Sequence, residues 1–165
     1  MKASAETIMK ILLEAVAIPS VTGEAENALP EFLMKKLSVW DYFKENPENI
    51  WLEPLKGDPL QRVNFCALVR ARPATSRTIL LISHHDVVPV DVCKGVPASP
   101  FDPPEYTEAL KQYEIDEVAR EDLLSGEWLA GRGVSDMKGG MAVQLALLAE
   151  YASAPETPQA NLLLM

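Results

Sequence analysis

Two imidazoles and a carboxylate stand together at His84-His85-Asp86, directly after the apolar run Leu80-Leu81-Ile82. A further carboxylate, Asp136, stands some fifty residues later inside Gly131-Arg132-Gly133-Val134-Ser135-Asp136-Met137-Lys138-Gly139-Gly140. Imidazole nitrogen and carboxylate oxygen suit zinc, which polarises a carbonyl and lowers the pKa of a bound water, the chemistry of amide hydrolysis. On a strand, residues two apart share a side, so Asp86 falls beside His84 and can accept its second ring hydrogen, fixing the tautomer. His85 points the other way and is not counted as a ligand, although an adjacent pair of histidines leaves open which one is used. Each segment has a plainer reading. A histidine beside a carboxylate is common in ordinary structure, and a glycine-rich turn with Asp136 can simply cap the following helix and leave Lys138 exposed. The two segments together, in order and spacing, point to a metal site.

The elements that must position these residues follow from periodicity. Residues 78–83 are apolar without alternation, which predicts a strand covered on both faces whose end carries the histidines. Glycines at 131 and 133 allow a sharp turn that presents Asp136 at the start of a helix over 138–152, where Met141, Leu145 and Leu148 recur at helical spacing. Upstream, Ile8, Leu12 and Val16 mark a first helix, with Ser4 as its N-cap and Pro19 as its stop. Leu29, Phe32, Leu33 and Leu37 mark a second, with Pro30 in its first turn. A short helix or turn after Asp41 leads into a strand around 50–53. Val63, Phe65, Ala67 and Val69 alternate as a half-buried strand, joined hairpin-fashion through Arg72-Pro73-Ala74 to the next one. Residues 90–125 are acidic and proline-spotted. They read as a surface excursion with one short helix over 105–113, and a short strand over 127–130 returns to the glycine turn. Asn161-Leu162-Leu163-Leu164-Met165 reads as another buried strand, with an exposed edge beside it.

Composition bounds the rest. With 165 residues, 48% of them hydrophobic, the chain is long enough for one globular core. A net charge of −9 without clustered Lys and Arg argues against a nucleic-acid partner. The absence of a signal peptide or of a long apolar run predicts a cytoplasmic protein with no membrane partner. The two cysteines, Cys66 and Cys93, form neither a zinc cluster nor a disulfide framework. Ser20 and Thr22 have no base placed beside them by sequence and read as residues that hydrogen-bond within a loop.

The His84-x-Asp86 and Gly131-Arg132-Gly133-x-x-Asp136-Met137-Lys138-Gly139-Gly140 motifs, with Ile18-Pro19-Ser20-Val21-Thr22-Gly23 ahead of them, resemble the co-catalytic zinc amidohydrolases and peptidases that include aminoacylase, carboxypeptidase G and acetylornithine deacetylase. Glu45-Asn46-Pro47-Glu48 and the stretch from Arg120-Glu121-Asp122-Leu123 through Ser125-Gly126-Glu127-Trp128-Leu129 look most like a branch of that family used in bacterial arginine utilisation. The resemblance runs from end to end of the chain but covers only the first part of the family's length. It implies an α/β fold: a three-layer catalytic domain with a mostly parallel or mixed sheet and helices on both faces, here truncated. It implies two zinc ions in the full-length enzyme, replaceable by cobalt or manganese, with His84 on one zinc and Asp136 bridging both. Asp86 would be the catalytic carboxylate that orients His84, and the Asp136–Met137 peptide would be cis. In the family a Glu-Glu pair, base and ligand, follows the strand matched here by 160–165, and a lid domain that supports a homodimer comes later. Neither lies within residues 1–165. The expectation is therefore the N-terminal portion of an enzyme that cleaves small peptides or N-acyl amino acids, inactive by itself and holding metal weakly. Without metal, Asp86 and Asp136 should repel and raise the pKa of at least one. The rival from another class is a short non-catalytic binding or assembly module that keeps half of the fold.

Overall fold

The computed structural model describes residues 3–154 and 159–165. Its frame is a four-stranded sheet in the order β1-β2-β4-β3, built from β1 (Ile50–Pro54), β2 (Val63–Val69), β3 (Thr78–Leu81) and β4 (Asn161–Leu164). β2 pairs antiparallel with both β1 and β4, and β3 pairs parallel with β4, so the sheet is mixed. The register aligns Ile50, Ala67, Leu164 and Leu81 in one row across all four strands. Since side chains alternate along a strand, that row shares a face with Leu52, Phe65, Val69 and Leu162, and this face meets the helices.

The helical layer consists of α1 (Ala5–Val16), α2 (Ala28–Leu37) and α6 (Gly140–Ser153). α1 begins where Ser4 accepts a hydrogen bond from the Thr7 amide, and it buries Ile11, Leu12, Ala15 and Val16. α2 carries Pro30 in its first turn, where a missing N–H costs nothing, and buries Leu29, Leu33 and Leu37. α6 buries Met141, Leu145 and Leu148, and Ala142 and Ala146 let it approach α1 and the strands closely. The short α3 (Asp41–Glu45) adds Tyr42 and Phe43, whose rings meet edge to face at 5.2 Å. The α/β class and the mixed sheet agree with the sequence, and the helices that meet the strands cover one face.

Four expectations are corrected. The link through Arg72-Pro73-Ala74 is no hairpin, because β4 lies between β2 and β3. Asn161 secures that insertion by accepting from the Ala71 amide and donating to the Thr75 carbonyl, which ties the 71–75 loop to the first residue of β4. β4 is therefore central rather than beside an exposed edge, with Leu162 and Leu164 each 2% exposed. β3 is the edge instead. It has one strand neighbour, and Ile79 and Leu80 are about half exposed, at 50% and 46%, where both faces were expected to be covered. Lastly, 127–130 is not a strand. The Ala130 amide donates to the Thr107 hydroxyl and the Arg132 amide to the Pro100 carbonyl, so this segment pairs with the preceding excursion instead of a sheet.

That excursion holds two helices, α4 (Pro103–Lys111) and α5 (Glu117–Ser125), packed on each other. α5 escaped the pattern reading because Leu123 is its single buried residue. Its caps were readable, however: Asp116 accepts from the Val118 amide at one end, and Gly126 closes the other with a left-handed φ of 78°. No helix among the described residues is long and apolar enough to cross a membrane.

Candidate metal-binding site

Beyond Leu81 the chain stays tied to β4 by main-chain bonds between Ser83 and Met165 and between Met165 and Leu81, then leaves the sheet. From His85 to Val87 it is gripped by the loop after α1: the Val87 amide donates to the Ser20 carbonyl, and the Thr22 amide to the Val87 carbonyl, both at 2.9 Å. The Ser20 hydroxyl, fully buried, donates to the His85 carbonyl at 2.5 Å. The His-His-Asp segment is thus fixed through its main chain before its side chains do anything.

The Asp136 turn comes to it from the other side. Gly133 takes a left-handed φ of 81° and lies so close to Val87 that a Cβ there would stand 2.7 Å from Val87 Cγ1. The Asp136–Met137 peptide is cis, as the resemblance implies. Lys138, which the plainer reading left exposed, is fully buried; its amide returns to the Gly133 carbonyl, and its ammonium donates to the Ile18 carbonyl at 2.7 Å. Burial in apolar surroundings pulls the Lys138 pKa down to about 8. The lysine therefore ties the Asp136 turn to the same loop that grips His85 to Val87. Sequence reasoning missed this because a lysine in a glycine-rich turn has no periodicity to mark it as internal.

Between the two turns, His84 Nε2 faces Asp136 Oδ1 at 2.8 Å. On the other side of the ring, Nδ1 lies 3.1 Å from the Asp86 main-chain carbonyl and 3.4 Å from Asp86 Oδ1. Asp86 does serve the ring's second nitrogen, but the nearer acceptor is its carbonyl oxygen rather than the expected carboxylate. The carboxylate instead accepts from the Thr22 hydroxyl, at 2.8 Å on Oδ2. Burial alone would lower the His84 pKa, but the Asp136 hydrogen bond, the Asp86 carbonyl and both carboxylate charges outweigh it and raise it. Burial likewise acts to raise Asp86, and the Thr22 hydroxyl with the His84 charge outweighs it, so Asp86 is held low. The expected mutual repulsion of carboxylates does not govern Asp86, because the imidazole stands between the two. His85 turns away toward Leu33, Asn64, Phe65 and Met141, and burial lowers its pKa.

The resulting cleft is open, about 240 Å³, and lined by His84, Asp86, Val88, Arg132, Ser135 and Asp136. Its donor chemistry fits zinc, with an imidazole nitrogen and a carboxylate oxygen facing each other at 2.8 Å and the opposite ring nitrogen anchored to an acceptor. The fit is partial. Among the described residues no three His, Cys, Asp or Glu side chains converge to hold an ion, whereas catalytic zinc takes three protein ligands. His84 and Asp136 are the two side chains here that could belong to a donor set.

No family model matches the chain. It is 31% identical over 162 residues to Protein RocB of Bacillus subtilis, covering 98% of this chain and 29% of that protein. It is 32% identical over 155 residues to a "Probable carboxypeptidase" of Emericella nidulans, covering 92% of this chain and 29% of the other. In fold it resembles the crystal structure of an M20 family metallo-carboxypeptidase from Sulfolobus solfataricus, with a TM-score of 0.63 at 21% identity over 95% of this chain and 29% of that one. The chain therefore spans under a third of the length of these relatives, while the similarity extends over nearly all of its own length.

Proposed function

We propose that this chain is the front portion of the catalytic domain of a zinc-dependent hydrolase that cleaves an amide bond in a small peptide or an N-acyl amino acid. The observation that carries the proposal is the His84 ring, held at Nδ1 by Asp86 and presenting Nε2 to the Asp136 carboxylate. In this reading His84 and Asp136 are two of the ligands and Asp86 is the carboxylate that orients the imidazole. The metal, when bound, supplies a polarised carbonyl and a water of lowered pKa. What the chain's own residues do is positional. Gly133 and Lys138 set the turn that brings Asp136 to the ring, and the loop from Ile18 to Thr22 holds His85 to Val87 in register with it. The remaining donors and the general base, which the described residues do not supply, belong in this reading to sequence of the kind its longer relatives have, as does the lid domain through which a homodimer would form. Similarity to RocB, together with the motifs at Glu45 and Arg120, supports a place in arginine utilisation.

The test is hydrolysis of acylated amino acids and dipeptides with added zinc. The 165-residue chain alone is expected to show no turnover. A polypeptide in which it is followed by the missing segment is expected to show turnover that a chelator removes. His84→Ala and Asp136→Asn should each abolish that turnover, and His85→Gln should leave it within a few-fold. Full activity in the His84→Ala protein would sink the proposal. The alternative, a non-catalytic assembly module, draws support from the half-exposed β3 edge, which presents unpaired strand backbone. Sedimentation of the soluble chain as a clean monomer counts against it.

A further inference from the structure

We infer that Thr22 is a positioning residue for the site: its hydroxyl fixes the rotamer in which the Asp86 carboxylate stands against the His84 ring. The inference rests on the reading of His84 as a ligand and extends it to a residue in the loop after α1, more than sixty positions away in sequence. A threonine hydroxyl has one hydrogen to give. Here two acceptors compete for it, Asp86 Oδ2 at 2.8 Å and the Val87 carbonyl at 3.1 Å. The Val87 carbonyl is already served by the Thr22 amide at 2.9 Å, whereas the Asp86 carboxylate is ionised and takes Thr22 as its side-chain donor, so the carboxylate is the acceptor that gains more from the hydroxyl. With Oδ2 engaged, Oδ1 is the oxygen turned to His84 Nδ1, at 3.4 Å.

The geometry of the loop leaves Thr22 little freedom to do otherwise. Its amide is bound to Val87, its neighbour Val21 bridges Val87, and Ser20 is buried with its hydroxyl on the His85 carbonyl. The Thr22 side chain is thus delivered to Asp86 by a main-chain pairing that survives its replacement. Thr22→Val keeps the size, the β-branch and both main-chain bonds but removes the donor. Thr22→Ser keeps the donor. A carboxylate at the surface end of a loop, 37% exposed, has several rotamers open to it once that donor is gone.

Two readouts test this on the intact 165-residue chain. The first needs no metal: three-bond couplings from the Asp86 carboxyl carbon to its main-chain nitrogen and carbonyl report its χ1 populations. One dominant rotamer is expected in the wild type and in Thr22→Ser, and averaging over rotamers in Thr22→Val. The second is zinc alone, titrated against a competing chromophore. Removing an outer partner of a metal ligand weakens metal binding by about 10–100-fold, and Thr22 stands one step further out. Thr22→Val should therefore bind zinc about 3–10-fold more weakly than wild type, with Thr22→Ser restoring it. An unchanged Asp86 rotamer in Thr22→Val overturns the inference and leaves the metal reading untouched. A rotamer that loosens while the wild type takes no zinc from the chromophore upholds the role of Thr22 toward Asp86 and overturns the metal reading on which its importance rests.

Discussion

Gly133 is the point at which the two motif segments touch, and replacing it with alanine measures how tightly they are pressed together. Two costs add there. A φ of 81° is a left-handed conformation that costs an L-residue about 1–2 kcal/mol, offset in part by the unfolded-state freedom that alanine removes. The new Cβ would also lie 2.7 Å from Val87 Cγ1 and 3.3 Å from Lys138 Cδ, an overlap that costs about 1–3 kcal/mol where neighbours are packed. Gly133→Ala is therefore expected to lose about 2–4 kcal/mol of unfolding free energy. Gly126 supplies the control. Its φ of 78° is nearly the same, but nothing lies within 4 Å of its virtual Cβ, so Gly126→Ala should lose about 1 kcal/mol or less. The assay is urea unfolding of the two variants and of Gly133→Ala in a Val87→Ala background. There the methyl that blocks the Cβ is gone, and the cost of Gly133→Ala should fall toward that of Gly126→Ala. Equal losses at the two glycines, or no relief from Val87→Ala, would refute the close approach of the Asp136 turn to the His84 segment.

Other outcomes follow from the same contacts. Lys138 has a pKa of about 8 against an ordinary 10.5, so between those values the unfolded chain binds more protons and stability rises with pH. The metal-free wild type should gain about 2 kcal/mol relative to Lys138→Met between pH 7 and 9.5, read from paired urea curves; parallel pH profiles would contradict this. The two histidines should titrate on opposite sides of 6.5 in the metal-free chain, His84 above and His85 below, as ring proton shifts will show. Because the His84 pKa is raised, its contribution to stability is present below pH 6.5 and fades as pH rises through its folded value; Asp136→Asn should remove most of that dependence. Leu164→Ala should cost about 2–5 kcal/mol, since a central strand residue 2% exposed leaves a cavity when truncated. A loss below 1 kcal/mol would place β4 at an edge after all.

Much of this architecture is visible in the residues themselves, and where it is not the reason is physical. α1, α2 and α6 are legible because each buries a stripe at helical spacing, and Ser4 and Pro30 mark their ends by capping chemistry that acts locally. β2 shows because Phe65, Ala67 and Val69, the residues it turns to the helices, recur at period two and are buried. Sheet order was not legible, since pairing is decided by non-local packing: an unbroken apolar run such as 78–83 reads as central whether or not its neighbour is present, and here it forms the edge while Leu162 and Leu164 take the centre. At the site, His84, Asp86 and Asp136 were named from type and spacing, and the structure brings them together. What could not be read was the atom-level division of labour. The Asp86 carbonyl is the nearer partner of Nδ1, its carboxylate goes to Thr22, and Lys138 is buried against Ile18. These depend on a loop folded back across the motif, and no periodicity records it.

The most direct test of the central claim is a zinc titration of the 165-residue chain observed at its imidazole nitrogens, of which there are only four because the chain has two histidines. The account predicts that His84 Nε2 alone shifts to a metal-bound value, that Nδ1 keeps its proton, and that Asp136→Asn weakens the response at least tenfold. A response at His85 instead of His84, or one that Asp136→Asn leaves unchanged, would contradict it.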